Sequence, residues 1–272
     1  MNPDWRQRLR ARIDVPAAAP RVPLALVMGE GPPQVIGSIE SGLALELAGA
    51  GMPLRDAGEA WQIEVPDVLI IDSTLAGVAA SLRAIGRASA WRDELLDVCT
   101  LADGIEGRRL GAIERAAVRP LGIASRAVHL VVSDARGGVW VQQRALDKAV
   151  DPGLWDTTVG GLVASNESIA ETLARETWEE AGLRLDQLRQ IEPFGRLTVR
   201  RPLPEGYMVE HIEMFEAIIA EGTMPANQDG EVAGFECLDR PALIARLEAD
   251  AFTLEAGMIL ASWLDRQIEM DS

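Results

Sequence analysis

Apolar and polar positions alternate at recognisable spacings along most of this chain, and they sort it into two stretches. Met1 to about Ile13 is mostly polar with a few apolar residues, which predicts a short polar helix. Pro16 to Pro33 is rich in proline and alanine and predicts a loop or extended arm. VLII at Val68 to Ile71 reads as a short buried strand, and the run from Ser73 places apolar residues at helical spacing after a Ser/Thr start. A further helix is predicted over roughly Leu110 to Val118. Beyond Pro120 and Gly122, AVHLVVSD and GGVWVQQRA bracket the turn-forming ARGG, so they predict a β-hairpin. Ser168 to Ala181 predicts one helix: Ser165 to Ser168 offer capping side chains, Ile169 and Leu173 lie one turn apart, and Gly182 supplies a stop. EPFGRLTVR and EHIEMFEAII are strand-like, and Pro241 to Asp250 and Leu254 to Ile268 read as terminal helices. This order places a domain boundary near Leu121, with residues 1–121 ahead of it and 122–272 after it.

Composition narrows the function classes. The 272 residues are 48% hydrophobic and 25% charged, as in a globular protein with material for a sizeable core. A net charge of -16 repels nucleic-acid backbone and anionic membrane, so a phosphate ligand must be met by a cation or a local basic patch. Cys99 and Cys237 form no CxxC pair, which argues against a disulfide framework and a thiolate zinc site. No apolar run approaches a spanning length, and VPLALVMG at Val22 follows its AAAP stretch in the wrong order for a signal peptide. A cytoplasmic location is the expectation.

The chemistry concentrates in GGLVASNESIAETLARETWEEAGL, from Gly160 to Leu183. On the predicted helix Glu176, Glu179 and Glu180 stand at i, i+3 and i+4, one face with three carboxylates. Such like-charge pairs each destabilise a bare helix by about 0.2–0.5 kcal/mol, so a cation should offset them. A hard divalent ion with oxygen ligands fits, and a plain solvated acidic face is the alternative. Arg175 lies one step off this face, positioned for Glu167 or Glu171.

The spacing as a whole resembles the Nudix box, G-x5-E-x7-R-E-U-x-E-E-x-G-U with U a bulky aliphatic. Gly161, Glu167, Arg175, Glu176, Glu179, Glu180 and Gly182 occupy its fixed positions, and Thr177 departs from one U site. Chance agreement of seven identities is on the order of 10⁻⁸ per starting position. The resemblance covers roughly Ile123 to Ser272 and implies an α/β fold, the Nudix α/β/α sandwich with a mixed sheet, preceded here by a smaller α+β N-terminal domain. It also implies metal-dependent hydrolysis of a diphosphate, with Glu176, Glu179 and Glu180 as ligands of Mg²⁺ or Mn²⁺, the Gly161 backbone completing coordination, and Arg175 with Glu167 bracing the helix. The general base stays open among the glutamates, with Glu231 a further candidate beside its plain reading as a turn acid.

A narrower likeness lies outside the box. WRDELLDV at Trp91, IERAAVRPLGI at Ile113, AVHL at Ala127, the run from Trp140 to Gly161, and DGEVAGF at Asp229 resemble Nudix proteins related to, or fused with, thiamin pyrophosphokinase. That likeness implies thiamin diphosphate or its oxidised analogues as substrate, with nucleotide sugars and dinucleotides as the alternative and a silent binding module as a third. Every acidic box position is kept, which speaks against the third. An isomerase of the isopentenyl diphosphate type would need a cysteine just ahead of the box, and TTVGG has none. Arg144 and Lys148 before the glycine turn, and Arg196, Arg200 and Arg201 after the helix, are candidates to meet phosphate oxygens, Arg144 foremost as a bidentate donor, against the reading of each as a solvated cation. Trp155 and Trp178 are candidates to stack on a ring, or core residues; His129 and His211 read as core or pocket-wall histidines. The expected partner is a small-molecule diphosphate, with no nucleic acid and no membrane, and a homodimer is allowed.

Overall fold

The computed structural model describes residues 4–101, 107–148 and 150–270. A first helix, α1 (Trp5–Ile13), agrees with the polar pattern, although the expected start at Met1 lies outside the described residues. A four-stranded sheet follows, from β1 (Arg21–Met28), β2 (Gln34–Glu40), β3 (Leu54–Asp56) and β4 (Trp61–Val65), with α2 (Ser41–Gly49) between β2 and β3. Its order is β2-β1-β4-β3, and β1 runs parallel to β4 while the other pairs are antiparallel. Next come α3 (Ile71–Ala84), the hairpin β5 (Leu95–Cys99) and β6 (Arg109–Glu114), and the single turn α4 (Arg115–Val118).

Three expectations fail in this stretch. Pro16 to Pro33 is not a loop throughout, because β1 lies within it: Leu24, Ala25 and Leu26 are fully buried, and Pro23 sits at an exposed position of the strand. VLII is not a buried strand. Val68–Ile70 form a 3₁₀ turn with Leu69 87% exposed, and Ile71 begins α3. The expected helix from Leu110 is a strand as far as Glu114, where Gly111, Ala112 and Ile113 pack in the core. Short apolar runs fit a strand or a helix equally by periodicity, and tertiary burial decided each case.

The second sheet holds seven strands. They are β7 (Ala124–Ser133), β8 (Val139–Arg144), β9 (Trp155–Asp156), β10 (Val159–Leu162), β11 (Leu188–Leu203), β12 (Gly206–Ile219) and β13 (Val232–Leu238), with α5 (Ile169–Ala181), α6 (Arg240–Glu248) and α7 (Leu254–Met270). Its main path is β11-β12-β7-β8-β13, and the β12–β7 pair is parallel in an otherwise antiparallel sheet. Alternation along β7 splits the core between two faces: Val128, Leu130 and Val132 pack with Leu173 and Ala181 of α5, whereas Ala127 and Val131 pack with the helices at the chain end. The result is the expected α/β/α sandwich. The hairpin is shorter than expected, because β7 and β8 pair only at Val132–Trp140 and Ser133–Val139. They then part, and the gap is filled by β10 against β7 and β9 against β8.

The α1 helix belongs with this second layer: Trp5 and Leu9 are buried among residues of α7, and Arg6 Nη2 bonds Asp265 Oδ1 at 3.1 Å. We therefore propose residues 21–121 as the N-terminal unit, with the boundary near Leu121 as the sequence suggested and α1 assigned to the C-terminal unit. The two meet at Arg21, whose guanidinium lies 6.0 Å from the ring centre of Tyr207. They also meet through Asp97, which accepts from Ser165 Oγ at 2.7 Å in the loop ahead of α5. Among the described residues no helix is long and apolar enough to cross a membrane.

Gly37 lies at this junction, where an added Cβ would sit 2.4 Å from the Leu121 carbonyl oxygen. Gly37→Ala is expected to lower the unfolding free energy by about 1–3 kcal/mol, the scale of overpacking a fixed contact. Gly42→Ala, with open space around a helical site, should be neutral or stabilising by under about 1 kcal/mol. Urea melts of the two variants check both.

Candidate active site

The α5 helix is fixed at both ends by its own sequence. Ser168 Oγ accepts from the Glu171 N–H at 3.2 Å while Glu171 Oε2 accepts from the Ser168 N–H at 2.8 Å, a reciprocal cap. Glu171 is thereby used in the cap and takes no part with Arg175. At the other end Gly182 turns left-handed at φ 61. Thr177, the departure from an aliphatic position, is fully buried, and its hydroxyl donates to the Leu173 carbonyl at 2.5 Å. The polar atom is satisfied within the helix, so the site tolerates it.

Arg175 is the hub of the face. Its Nε and Nη2 each donate to Glu167 at 2.8 Å, as the resemblance implies for a brace. Its Nη1 also reaches Glu176 Oε1 at 2.8 Å and Glu179 Oε2 at 3.0 Å. Glu167 in turn accepts from Thr172 Oγ1, and its carboxyl lies below the ordinary range, chiefly through the Arg175 bonds. A cation of the protein's own therefore offsets part of the acidic face.

Glu180 points the other way. It is 5% exposed, and its Oε2 accepts from the Gly160 N–H at 2.8 Å and from Gln142 Nε2 at 2.9 Å, which leaves Oε1 for another partner. Burial pushes its carboxyl up to about 8 against the pull of the Gly160 bond, with the Glu176 and Asp156 charges adding to the rise. Burial likewise raises Glu176 to about 7, opposed by Arg175. Gly161 is what lets Glu176 in: an added Cβ would fall 2.0 Å from its carboxyl carbon. At Gly160 a Cβ would meet the His129 ring at 2.6 Å, so both glycines admit side chains from neighbouring elements.

Glu176, Glu180 and both glycines line a cleft of about 1130 Å³ between the two units. Arg144 and Lys148 line it as well, each already paired: Arg144 Nη1 lies 3.3 Å from buried Asp156, and Lys148 bonds Glu231. Glu231 is at the same cleft, where burial opposes its ionisation but the Lys148 bond and charge outweigh it and hold the carboxyl low. Arg196 is not there. It sits on β11 and pairs across the sheet with Glu213 at 2.9 Å, away from this cleft. Glu179 does not line the cleft either and turns to Arg175. Trp155 packs beneath the Arg246 guanidinium and Trp178 is 49% exposed; neither lines the cleft, whose one Tyr, Trp or Phe among the described residues is Tyr207. His129, bonded to Thr157 at 2.7 Å, is a wall residue, and His211 bonds Thr198.

Sequence reasoning missed Gln142, Asp156 and Glu210. The signal for the first was present, because Gln142 and Arg144 stand two apart on β8, on the face opposite Val139 and Val141. Glu210 lines the cleft and accepts from Ser125 Oγ at 3.1 Å, and burial raises its carboxyl. The donors near Glu180 suit a hard divalent cation: they are oxygens, and buried Gln142 Oε1 has no hydrogen-bond partner among the described residues. Among the described residues no three acidic, histidine or cysteine side chains come close enough together to hold an ion by themselves.

Both raised carboxyls predict a pH signature. The metal-free fold binds these protons more tightly than the unfolded chain, so their contribution to stability is present below about 4.5 and falls as pH rises toward about 8. Urea midpoints without metal should decline through that window, and Glu180→Gln should flatten the decline. A curve of unchanged slope in the variant would contradict it. Gly161→Ala should displace Glu176 and weaken Mg²⁺ binding by roughly 10-fold or more, measured by titration calorimetry, the scale of losing a support around a metal site.

A NUDIX domain model matches residues 124–256. An uncharacterized Nudix hydrolase of Pseudomonas aeruginosa is 38% identical over 105 residues, 39% of this chain and 56% of that relative. The Nudix hydrolase YfcD of Salmonella typhi is 38% identical over 161 residues, 58% of this chain and 80% of the relative. An isopentenyl-diphosphate Delta-isomerase of Leifsonia xyli is 31% identical over 170 residues, 60% of this chain and 88% of the relative. Among solved structures, a Deinococcus radiodurans protein covers 62% of this chain and 99% of its own at 23% identity and a TM-score of 0.47. With its box helix capped, braced and pressed against Gly160 and Gly161, the chain belongs to the Nudix hydrolase family.

Proposed function

We propose that this chain hydrolyses a diphosphate linkage with Mg²⁺ or Mn²⁺ held by Glu176 and Glu180, the backbone at Gly161, and Glu179 once it is released from Arg175. The observation that carries this is the pair of carboxyls at the glycine turn, Glu180 buried and Glu176 largely so, on the wall of a cleft large enough for a small molecule. Two adjacent carboxyls raised by burial are an expensive arrangement in the metal-free fold, and a divalent cation offsets it. When bound, such an ion neutralises diphosphate oxygens and lowers the pKa of an adjacent water.

The reaction is displacement at phosphorus. A water oxygen attacks, its proton passes to a carboxylate, the anhydride P–O bond breaks, and the leaving phosphate keeps the bonding pair. A base works best with a pKa near the working pH. Glu231 is ion-paired with Lys148 and held low, so the glutamates of α5 are better placed for that role. Arg144 and Lys148 would orient the diphosphate by exchanging their carboxylate partners for phosphate oxygens.

For the substrate we propose thiamin diphosphate or an oxidised analogue, cleaved to the monophosphate. Support comes from the segments that carry the narrower likeness: Arg92 of WRDELLDV and Glu231 of DGEVAGF both line the cleft. The second reading, a nucleotide sugar or dinucleotide, is favoured by the roughly 1130 Å³ of space, more than a thiamin-sized ligand fills. Isomerase relatives notwithstanding, neither cysteine lines the cleft, and burial raises both thiols.

Glu180→Gln and Glu179→Gln should each lower kcat by roughly 10²-fold or more, while Glu171→Gln, confined to the cap, should leave it near normal. The assay is phosphate and monophosphate release from thiamin diphosphate, its oxidised analogues, nucleotide sugars and dinucleotides at varied Mg²⁺. Near-normal turnover in both glutamine variants would reject the metal site. A nucleotide compound exceeding every thiamin analogue in kcat/KM would select the second reading.

A further inference from the structure

The region ahead of the Nudix match supplies part of this cleft, including the turn between α3 and β5. Cations on the cleft wall are generally matched: Arg115 bonds Glu94, Arg119 pairs with Glu205, Arg144 with Asp156, Lys148 with Glu231, and Arg201 with Glu255. Arg92 is the exception. Its guanidinium has no hydrogen-bond or ion-pair partner among the described residues, although it lines the cleft and its charge favours the ionised form of Glu231.

The backbone that presents it is held from several sides. The Arg92 N–H donates at 2.9 Å to Oε1 of Glu114, a carboxylate only 3% exposed. Asp93 takes a left-handed φ of 57, a conformation that disfavours side chains, and the Trp91 indole N–H secures it by donating to Asp93 Oδ1 at 2.8 Å. The Arg83 guanidinium lies 4.6 Å from the Trp91 ring centre, and the Arg115 N–H donates to the Glu94 carbonyl at 2.8 Å. Local bonding thus fixes a turn that carries Arg92, an exposed cation on the cleft wall, in a chain of net charge -16.

We propose that Arg92 binds the terminal phosphoryl group of a diphosphate monoester, a specificity contact that the Nudix domain does not itself contain. The proposal rests on the diphosphate reading above. A guanidinium fork matches two oxygens of one phosphoryl group, and a terminal phosphoryl offers three oxygens and more charge than an internal one. The arrangement selects substrates with a free terminal phosphate over diphosphates esterified at both ends.

Inorganic pyrophosphate with Mg²⁺ is the probe, titrated calorimetrically into the full chain. Arg92→Ala should raise its Kd by roughly 10-fold or more, with Arg92→Lys intermediate, the scale of a charge-assisted contact. Arg55→Ala, at an exposed pair with Glu64 outside the cleft, should leave it unchanged. If Arg92→Ala melts early, Arg92→Gln and Arg92→Lys carry the comparison. Among substrates, Arg92→Ala should raise KM for a diphosphate monoester far more than for one esterified at both ends. Unchanged pyrophosphate affinity in the Arg92 variants overturns the assignment, as does failure of pyrophosphate to bind the wild-type chain. Arg92-dependent pyrophosphate binding without hydrolysis of any diphosphate would support this contact and reject the hydrolase reading.

Discussion

The Arg175 guanidinium joins parts of the site that would otherwise repel or drift. It holds Glu167 in the loop before α5, two glutamates of the helix itself, and lies 3.4 Å from the Leu162 carbonyl at the end of β10. One planar cation thus sets the distance between the glycine turn and the acidic face. A lysine offers one point charge in place of the fork and could not bond all of them. The group also explains how three carboxylates coexist on one helix before any metal arrives. Two share Arg175, and the third is neutralised by burial.

The glycine turn reaches the helix because the sheet makes room for it. Had β7 and β8 stayed paired along their length, the Trp155 to Leu162 segment would have no place in the sheet. Their parting after two residue pairs lets β10 enter next to β7, with Gly160 opposite His129 and Gly161 opposite Val128. The missing Cβ atoms are then filled by His129 on one side and Glu176 on the other. Strand pairing, glycine and carboxylate position are one geometric fact.

The helix of the site was legible in the sequence because its signals are local. Ser168, Glu171 and Gly182 act within one or two turns, and the spacing of Glu176, Glu179 and Glu180 is a property of the helix alone. What the sequence hid depends on distant partners. Spacing cannot show that Glu179 turns to Arg175 while Glu180 is buried under Gln142. The same holds for Arg196, whose cross-strand neighbour Glu213 is 17 residues away and set by register. Pro23 disguised a strand, and the apolar run at Val68 to Ile70 was left exposed because α3 begins directly after it.

The clasp of α1 on α7 places the earliest and latest described helices side by side. Leu9 packs against Gly257, where an added Cβ would lie 3.1 Å from a Leu9 methyl, so the fit leaves no room for a larger residue. The α1 helix also packs on β11, but its surface is complete only when the 17 residues of α7 have been made. The four-stranded sheet of the N-terminal unit completes its own pairing long before that. The N-terminal sheet can therefore fold before the face of the second sheet that α1 and α7 cover is complete.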